Sequence, residues 1–597
     1  MSAHITVSLP TIARPPSKDN GYIQRDRPPS YQPRFTKVKT QPLNNYGYPA
    51  PGIQSPTARQ VIAEDYLISD ETWNDLCDHA QDIDFIVIGS GFTALAFIDQ
   101  TLKQDPFKKI LCLERGDFWL PDHFQNLPLP FKYTLGGPSE TFPFTLSKNT
   151  YDNEIRFVHG STPFFGGRST FWSAWSPSPS PDLMRDWPSS LRRTSEDPDF
   201  FDKAIKLLHV TSASEIGDPY ANLQTAIDAR LKQGINKVYQ AKEAYSAPLA
   251  VSPTAQSTKI RFTKFSTPGP LFGLYEQQQQ LAKANKGSPL LFATETTVEY
   301  LVTQIGYPTV PHVADKDVSV KFVQSTQRTP LPVAPNTKII LCAGAFPSTT
   351  LLVNSFPHLQ DIAGQKVTGH FLSHVVGRVK RTAFETPKLK QYDIEIGASY
   401  LAGIDSASGL QYHIQVTAIA SPNPGQNAED AARFCPDYAA AASEEQLKGS
   451  ENYVIFVCAT LGELSEDNPD SFFKLDRDLP NRDPTANCVL QIVPQKKDLD
   501  LWDVMDRATF DAIKVMAGDG QQIEWWHEPK GSSTPGTWRH EEPGKDTIRM
   551  EGVVHEASLL PLGDDGKSCV DQNYKVKDVS NVVSMEPNYV VYVTNVE

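Results

Sequence analysis

Long apolar runs are missing from this chain. None approaches the roughly 20 residues that a membrane-spanning helix needs, so no span is expected. Basic residues are in deficit: 56 Lys and Arg stand against 70 Asp and Glu, a net charge of −14. An acidic surface repels nucleic acid and anionic membrane, which argues against both as partners and leaves a small neutral substrate open. Cysteine is scarce. Cys77, Cys112, Cys342, Cys435, Cys458, Cys488 and Cys569 are scattered, odd in number, and never in a Cys-x-x-Cys spacing. That pattern argues against a zinc site or a disulfide framework. It predicts buried, reduced thiols in an intracellular, cytoplasmic protein. No Asn-x-Ser/Thr acceptor occurs, and residues 1–16 lack the basic start and apolar core of a secretory signal.

What is present is long enough for more than one substructure: 597 residues, 39% of them hydrophobic. Residues 1 to about 60 are dense in Pro, Gln, Tyr and Lys without a helical or strand period, and read as an extended arm. Residues 71–80 (ETWNDLCDHA) read as a short helix with Asp70 as its cap. Residues 83–88 (IDFIVI) have the composition of a buried parallel strand. Gly89-Ser90-Gly91 breaks that run, helical spacing resumes over 92–102, and 109–113 is a second buried strand ending at Glu114. These segments form one βαβ unit. Further strands are predicted over 290–302, 318–323 and 338–342, a helix over 349–354, and a long helix over 499–516. Ser/Pro-rich 176–181 and 532–536 read as crossings between substructures.

Gly89-Ser90-Gly91-Phe92-Thr93-Ala94 fits G-x-G-x-x-A. Gly89 allows the tight turn from strand to helix, and Gly91 lets the backbone approach a pyrophosphate at the helix N-terminus. Ala94 allows close helix–strand packing. Glu114 stands where a carboxylate accepts ribose hydroxyls. The strand before, the helix after and the acid beyond make this a dinucleotide site rather than a bare glycine turn. The fingerprint does not separate FAD from NAD. Phe165-Gly166-Gly167-Arg168-Ser169-Thr170-Phe171-Trp172 offers backbone N–H groups and small side chains to a flat ring or a phosphate. A plain loop is the competing reading. His555 follows an apolar strand, where an imidazole is either structural or a base.

With these motifs in one order (GSGFTA, LERG, GGRSTFWSAWSP, LCAGAFPSTTLLVNS and VHEASLLPLG…CVDQNYKVKDVSNV) the chain resembles the glucose–methanol–choline (GMC) oxidoreductases. Within them it is most similar to the pyranose oxidase branch. The resemblance implies an α/β fold: a discontinuous, Rossmann-like FAD-binding domain (81–180, 285–385 and 545–597) with an α+β substrate domain (181–284 and 386–544), preceded by the arm and short helix (1–80). It implies FAD held by Gly89, Gly91, Ala94, Glu114, Gly166, Gly167, Ser169, Thr170 and Val298. His555 would be the base in oxidation of an alcohol, a sugar or glycoside hydroxyl among the candidates, with oxygen or a quinone as electron acceptor and a homo-oligomer as one possible assembly. Gly369-His370-Phe371-Leu372-Ser373-His374 is similar to the family's GxxLxxH turn.

Two departures carry expectations. Pyranose oxidases link flavin through a His in the segment matching Ser169-Thr170-Phe171-Trp172; here Phe171 stands in that place, so non-covalent FAD is expected. In the family the chain continues past a segment like Val579-Ser580-Asn581-Val582 into an Asn-Pro or His motif that supplies the second catalytic group. This chain reads Val583-Ser584-Met585-Glu586-Pro587-Asn588-Tyr589; Asn595 has nearly the right distance from His555, but no Pro follows it. The alternative expectation is therefore a C-terminally truncated or replaced, catalytically inactive family member. An NAD-dependent reductase is a third reading, disfavoured because a nicotinamide site needs neither the GGRSTFW segment nor His555.

Overall fold

The computed structural model describes residues 22–24, 58–79, 83–127, 145–158, 160, 162–185, 187–252, 262–303, 318–326, 328–476, 483–529 and 535–585. Most of the N-terminal arm, residues 532–534 of the second Ser/Pro-rich crossing, and residues 586–597 with the altered C-terminal sequence lie outside the described residues.

The dinucleotide unit is built on the strands the apolar runs predict. Strand β1 is Phe85–Ile88, helix α1 Phe92–Gln104 and strand β2 Ile110–Leu113. Strand β3 is Leu290–Ala293, β4 Lys338–Leu341, and helix α2 Ala345–Ser355. They form an all-parallel sheet in the order β3-β2-β1-β4, closed by Val582–Ser584. Ile86, Val87, Leu111, Leu113, Ile339 and Leu341 are buried from water, as continuous apolar runs covered on both faces require. Helix α1 covers one face with Ala94, Leu95, Ile98 and Leu102. Each such aliphatic side chain contributes about 1.5–3 kcal/mol by leaving water. The register pairs Ile88 with Leu113 and Leu341, and Leu113 with Ala293. Gly89, Glu114, Thr294 and Cys342 therefore share the carboxyl-terminal edge, the edge that binds ligands in open α/β sheets.

The second layer is a nine-stranded, mostly antiparallel sheet. Its centre is β5 (Thr368–Lys380), flanked through β8 (Tyr453–Glu463), β7 (Gln411–Ala420) and β6 (Glu395–Ile404) to Ala241–Ser246. Helix α3 (Lys496–Ala517) covers one face, packing Met505 and Ile513 with Val375, Val379 and Phe456. Alternation along β5 sends His370, Leu372, His374 and Val376 to the other face. There Val376, Tyr400 and Val457 share one apolar cluster with Val87 and Ala94 of the dinucleotide unit. Strand β9 (Arg549–Ala557) pairs antiparallel with β5 and parallel with Phe157–Val158.

Several local expectations are corrected. The helix over Asp70–Asp78 is capped by Ser69, whose hydroxyl accepts from Thr72 N; Asp70 is its first residue. The strand expected over 290–302 divides into Leu290–Ala293 and Val298–Val302, with Glu295 in a left-handed conformation between them. Helix Ala58–Tyr66 begins inside the expected arm. The segment from Gly369 to His374 is strand, not turn. Cys112, Cys342, Cys435, Cys458, Cys488 and Cys569 are buried and outside any disulfide, and Cys77 is half-buried. Among the described residues no helix is long and apolar enough to cross a membrane.

Candidate cofactor and catalytic site

The two glycines of the fingerprint do different things. Gly89 has φ +104, and a Cβ there would lie 2.2 Å from Cys342 O. It is the residue that lets β1 turn against β4. Gly91 has ordinary φ and ψ (−78 and −159), and a Cβ there would meet nothing within 4 Å. It is the N-cap of α1 and has no side chain to cap the helix, so the first-turn N–H groups face open space. Gly167, at φ +53, faces that space from the other side: its Cβ would come to 3.8 Å from Gly91 Cα. Gly166, at φ +93, is pressed against Pro268 and Thr170. The open side of Gly91 lies at the positive end of a helix, with no atom within 4 Å of its Cβ position.

Ser90 ties the cradle together. Its hydroxyl donates to Glu114 Oε2 at 2.5 Å and accepts from Gly166 N at 2.8 Å. Gly116 N donates to Glu114 Oε1 at 2.9 Å. Each carboxylate oxygen keeps a lone pair for a further donor, as a ribose diol requires. Burial raises the Glu114 carboxyl to about 7, against the lowering pull of the Gly116 and Ser90 hydrogen bonds and of Arg115. Thr267 completes the lock: its hydroxyl donates to Ser90 O, and its N–H donates to Ser169 Oγ. Donors that meet the oxyanion space and an acid with free lone pairs fit the FAD that the motifs imply.

Ser169 and Thr170 are spent on the loop itself. Their hydroxyls donate to Gly166 O at 2.6 Å and Gly167 O at 2.9 Å, so they shape the turn. Ala94 is fully buried in the first turn of α1, and Val298 is the first residue of the strand Val298–Val302. Phe171 packs with Phe124 and Phe164.

His555 owes its position to a bulge. Thr368 pairs with Ala557 and His370 with Val554, so His555 and Glu556 together oppose the single residue Gly369. His555 takes φ +57, a left-handed conformation that costs a non-glycine residue about 1–2 kcal/mol. Bulges re-aim side chains beside active sites. A Cβ on Gly369 would lie 2.9 Å from Val554 O, so glycine is needed opposite. The re-aimed His555 Nδ1 lies 3.0 Å from His370 Nδ1. Its neighbour Glu556 accepts from Arg168 at 2.5 Å through Oε1, while Oε2, also buried, meets no donor among the described residues. This pair joins the Gly166–Gly167 loop to the His555 strand.

His555 is exposed by its accessible area, although protein surrounds it closely. The face of the large sheet beside it is closely packed, with His370, His413 and Tyr400 buried. His370 meets His413 edge-on at 5.4 Å, and His413 stacks on Tyr400 at 5.4 Å. His374 is half-exposed toward the same side, with a buried Nε2 that has no partner among the described residues. Burial, then the Arg168 charge, lowers His555 to about 3. Burial, then His555, lowers His413 to about 3. Burial, then His555 and His413, holds His370 well below the usual range. All three imidazoles are neutral at pH 7, below the ordinary value of 6.5 that the sequence suggests for a base.

The structure thus brings Gly89, Gly91, Glu114, Gly166 and Gly167 to one sheet edge and joins them to His555 through Arg168. Sequence reasoning passed over Ser90, Thr267 and His413, and used Arg168 and His370 only as motif letters. Ser90 was legible as the middle residue of the fingerprint; the others come from distant strands and loops and carried no local signal.

No family model matches the chain, and no curated protein matches it. Solved structures to which it is similar include pyridoxine 4-oxidase from Mesorbium loti, at 13% identity, 86% of this chain, 96% of that chain and TM-score 0.47. A fungal aryl-alcohol oxidase matches at 13% identity with the same coverages and TM-score 0.46. An FAD-dependent oxidoreductase from Chaetomium thermophilum matches at 11% identity, again with the same coverages, and TM-score 0.48.

Proposed function

We propose that the protein is an FAD-dependent oxidoreductase of GMC type, nearest in its motifs to the pyranose oxidase branch, that oxidises an alcohol with His555 as the base. The observation that carries this reading is the Arg168–Glu556 pair, which couples the dinucleotide cradle to the bulge presenting His555. The N-terminus of α1 at Gly91 would hold the pyrophosphate, and Glu114 the ribose hydroxyls. The Gly166–Gly167 turn, shaped by Ser169 and Thr170, would lie along the cofactor. With Phe171 in place of a linking His, binding is non-covalent.

Bound FAD supplies the acceptor for the hydride that leaves the alcohol carbon, and oxygen or a quinone then takes the electrons. His555, neutral at pH 7, offers a lone pair to the alcohol hydroxyl and takes its proton. Arg168 and burial disfavour an imidazolium before substrate binds, so the proton moves as negative charge develops on the substrate oxygen. The approximate division into an FAD unit (81–180, 285–385, 545–597) and a substrate unit (181–284, 386–544) belongs to the same reading.

The test is the visible spectrum of the purified full chain, followed by anaerobic mixing with a panel of alcohols and sugars. A flavin spectrum that bleaches supports the reading. A colourless protein that takes up no added FAD refutes it; a flavin that no alcohol bleaches supports an inactive family member.

A further inference from the structure

We propose that His370 is a positioning residue that fixes the tautomer of His555, leaving the lone pair on the exposed Nε2. The inference rests on the reading of His555 as base, but its test does not need turnover.

Two Nδ1 atoms 3.0 Å apart make a hydrogen bond only if one carries the proton and the other a lone pair. If His370 donates, His555 carries its proton on Nε2, and that nitrogen can only donate. If His555 donates, its Nε2 has the lone pair. Only the second arrangement lets His555 take a proton without turning its ring, because an imidazolium has N–H at both positions and needs an acceptor at His370 Nδ1. The His555 Nε2 has no hydrogen-bond partner among the described residues, and its ring is exposed. His370 is held rigidly: it is buried in β5, paired across the ladder with Glu463 of β8, and set edge-on to His413 of β7. The bulge is the device that brings the two rings together. The charged and titratable groups around the pair are Glu463 and His413 on the sheet, and Arg168 with Glu556 on the cofactor side. Burial disfavours the charged form of both imidazoles, and the Arg168 charge adds to this at His555.

Diethyl pyrocarbonate acylates the lone pair of a neutral imidazole, and peptide mapping reads each histidine separately. The full chain is treated at pH 7, with exposed His79 as internal control. In His370→Phe the acceptor is gone, and acylation of His555 is expected to slow about two- to ten-fold, the population ratio one hydrogen bond sets. His370→Asn places a carbonyl oxygen at the Nδ1 position and is expected to restore the parent rate. His370→Gln, whose carbonyl lies one bond further out, is expected to behave like His370→Phe and serves if the Phe variant does not fold. An unchanged or faster rate at His555 in both the Phe and Gln variants overturns the proposal. So does an Asn variant as slow as Gln, since His370 would then act only by packing. If acylation behaves as expected while His555→Ala leaves flavin reduction unchanged, the tautomer assignment stands and the base assignment falls.

Discussion

Gly91→Val and Gly89→Ala separate binding from folding at two positions one residue apart. At Gly89 the added methyl lies 2.2 Å from Cys342 O and 2.6 Å from Cys342 C, backbone atoms of a buried turn that cannot move aside. The backbone also sits at φ +104, outside the range of an L-residue. Strain of about 1–3 kcal/mol and overpacking of about 1–3 kcal/mol together consume much of a typical domain's stability of about 5–15 kcal/mol. At Gly91 neither term applies: φ is −78 and the Cβ meets nothing within 4 Å. Without flavin, Gly91→Val should melt close to the parent temperature, since the smaller loss of chain entropy offsets the loss of a favoured N-cap residue. Its side chain would nevertheless occupy the space proposed for the pyrophosphate. Two lost charge-assisted hydrogen bonds at about 1.5–3 kcal/mol each correspond to about 10²- to 10⁴-fold in Kd. Thermal melts of the flavin-free protein and a titration followed by flavin fluorescence give both quantities. A folded Gly91→Val that binds FAD as tightly as the parent would refute the placement of the cofactor at α1.

Acid or heat precipitation should release yellow flavin into the supernatant; flavin that migrates with the protein on a denaturing gel contradicts the role given to Phe171. FAD affinity should rise with pH through about 7, where Glu114 ionises and becomes the stronger acceptor. Glu114→Gln should flatten that dependence and weaken binding, and an unchanged profile by isothermal titration would remove Glu114 from the site. The same carboxyl has the opposite effect on folding without flavin. It is protonated in the fold up to about 7 but ionises at 4.5 when unfolded, so its contribution is present below 4.5 and is lost as pH rises toward 7. His413 runs the other way. Folded at about 3 and unfolded at 6.5, it costs about 1.4 kcal/mol per pH unit as pH falls between those values. His413→Gln should reduce that acid sensitivity in a urea-melt series. His555→Ala should slow anaerobic flavin bleaching about 10²- to 10⁴-fold, and equal rates would return His555 to a structural role.

Local chemistry made the dinucleotide half legible. Buried parallel strands are continuous apolar runs, so residues 83–88, 109–113 and 338–342 announced β1, β2 and β4. Turn geometry demands glycine at Gly89, which was legible as the break after the first strand, and Glu114 was legible as the acid at a strand end. The order of motifs pointed to His555 by resemblance. Other features were beyond any local pattern. The fingerprint does not tell which glycine is jammed and which is open, because the difference lies in Cys342, some 250 residues away in the chain and adjacent in the sheet. The bulge that aims His555 is a mismatch of register between β5 and β9, a property of two strands and of neither alone. The low basicity of His370, His413 and His555 comes first from burial, then from Arg168 for His555 and from neighbouring imidazoles for the other two, all brought together by folding. Sequence determined the elements whose causes are short-range sterics and burial periodicity. Tertiary structure decided the register, the proximity of charges and the loss of water, because those energies exist only between segments that the fold brings into contact.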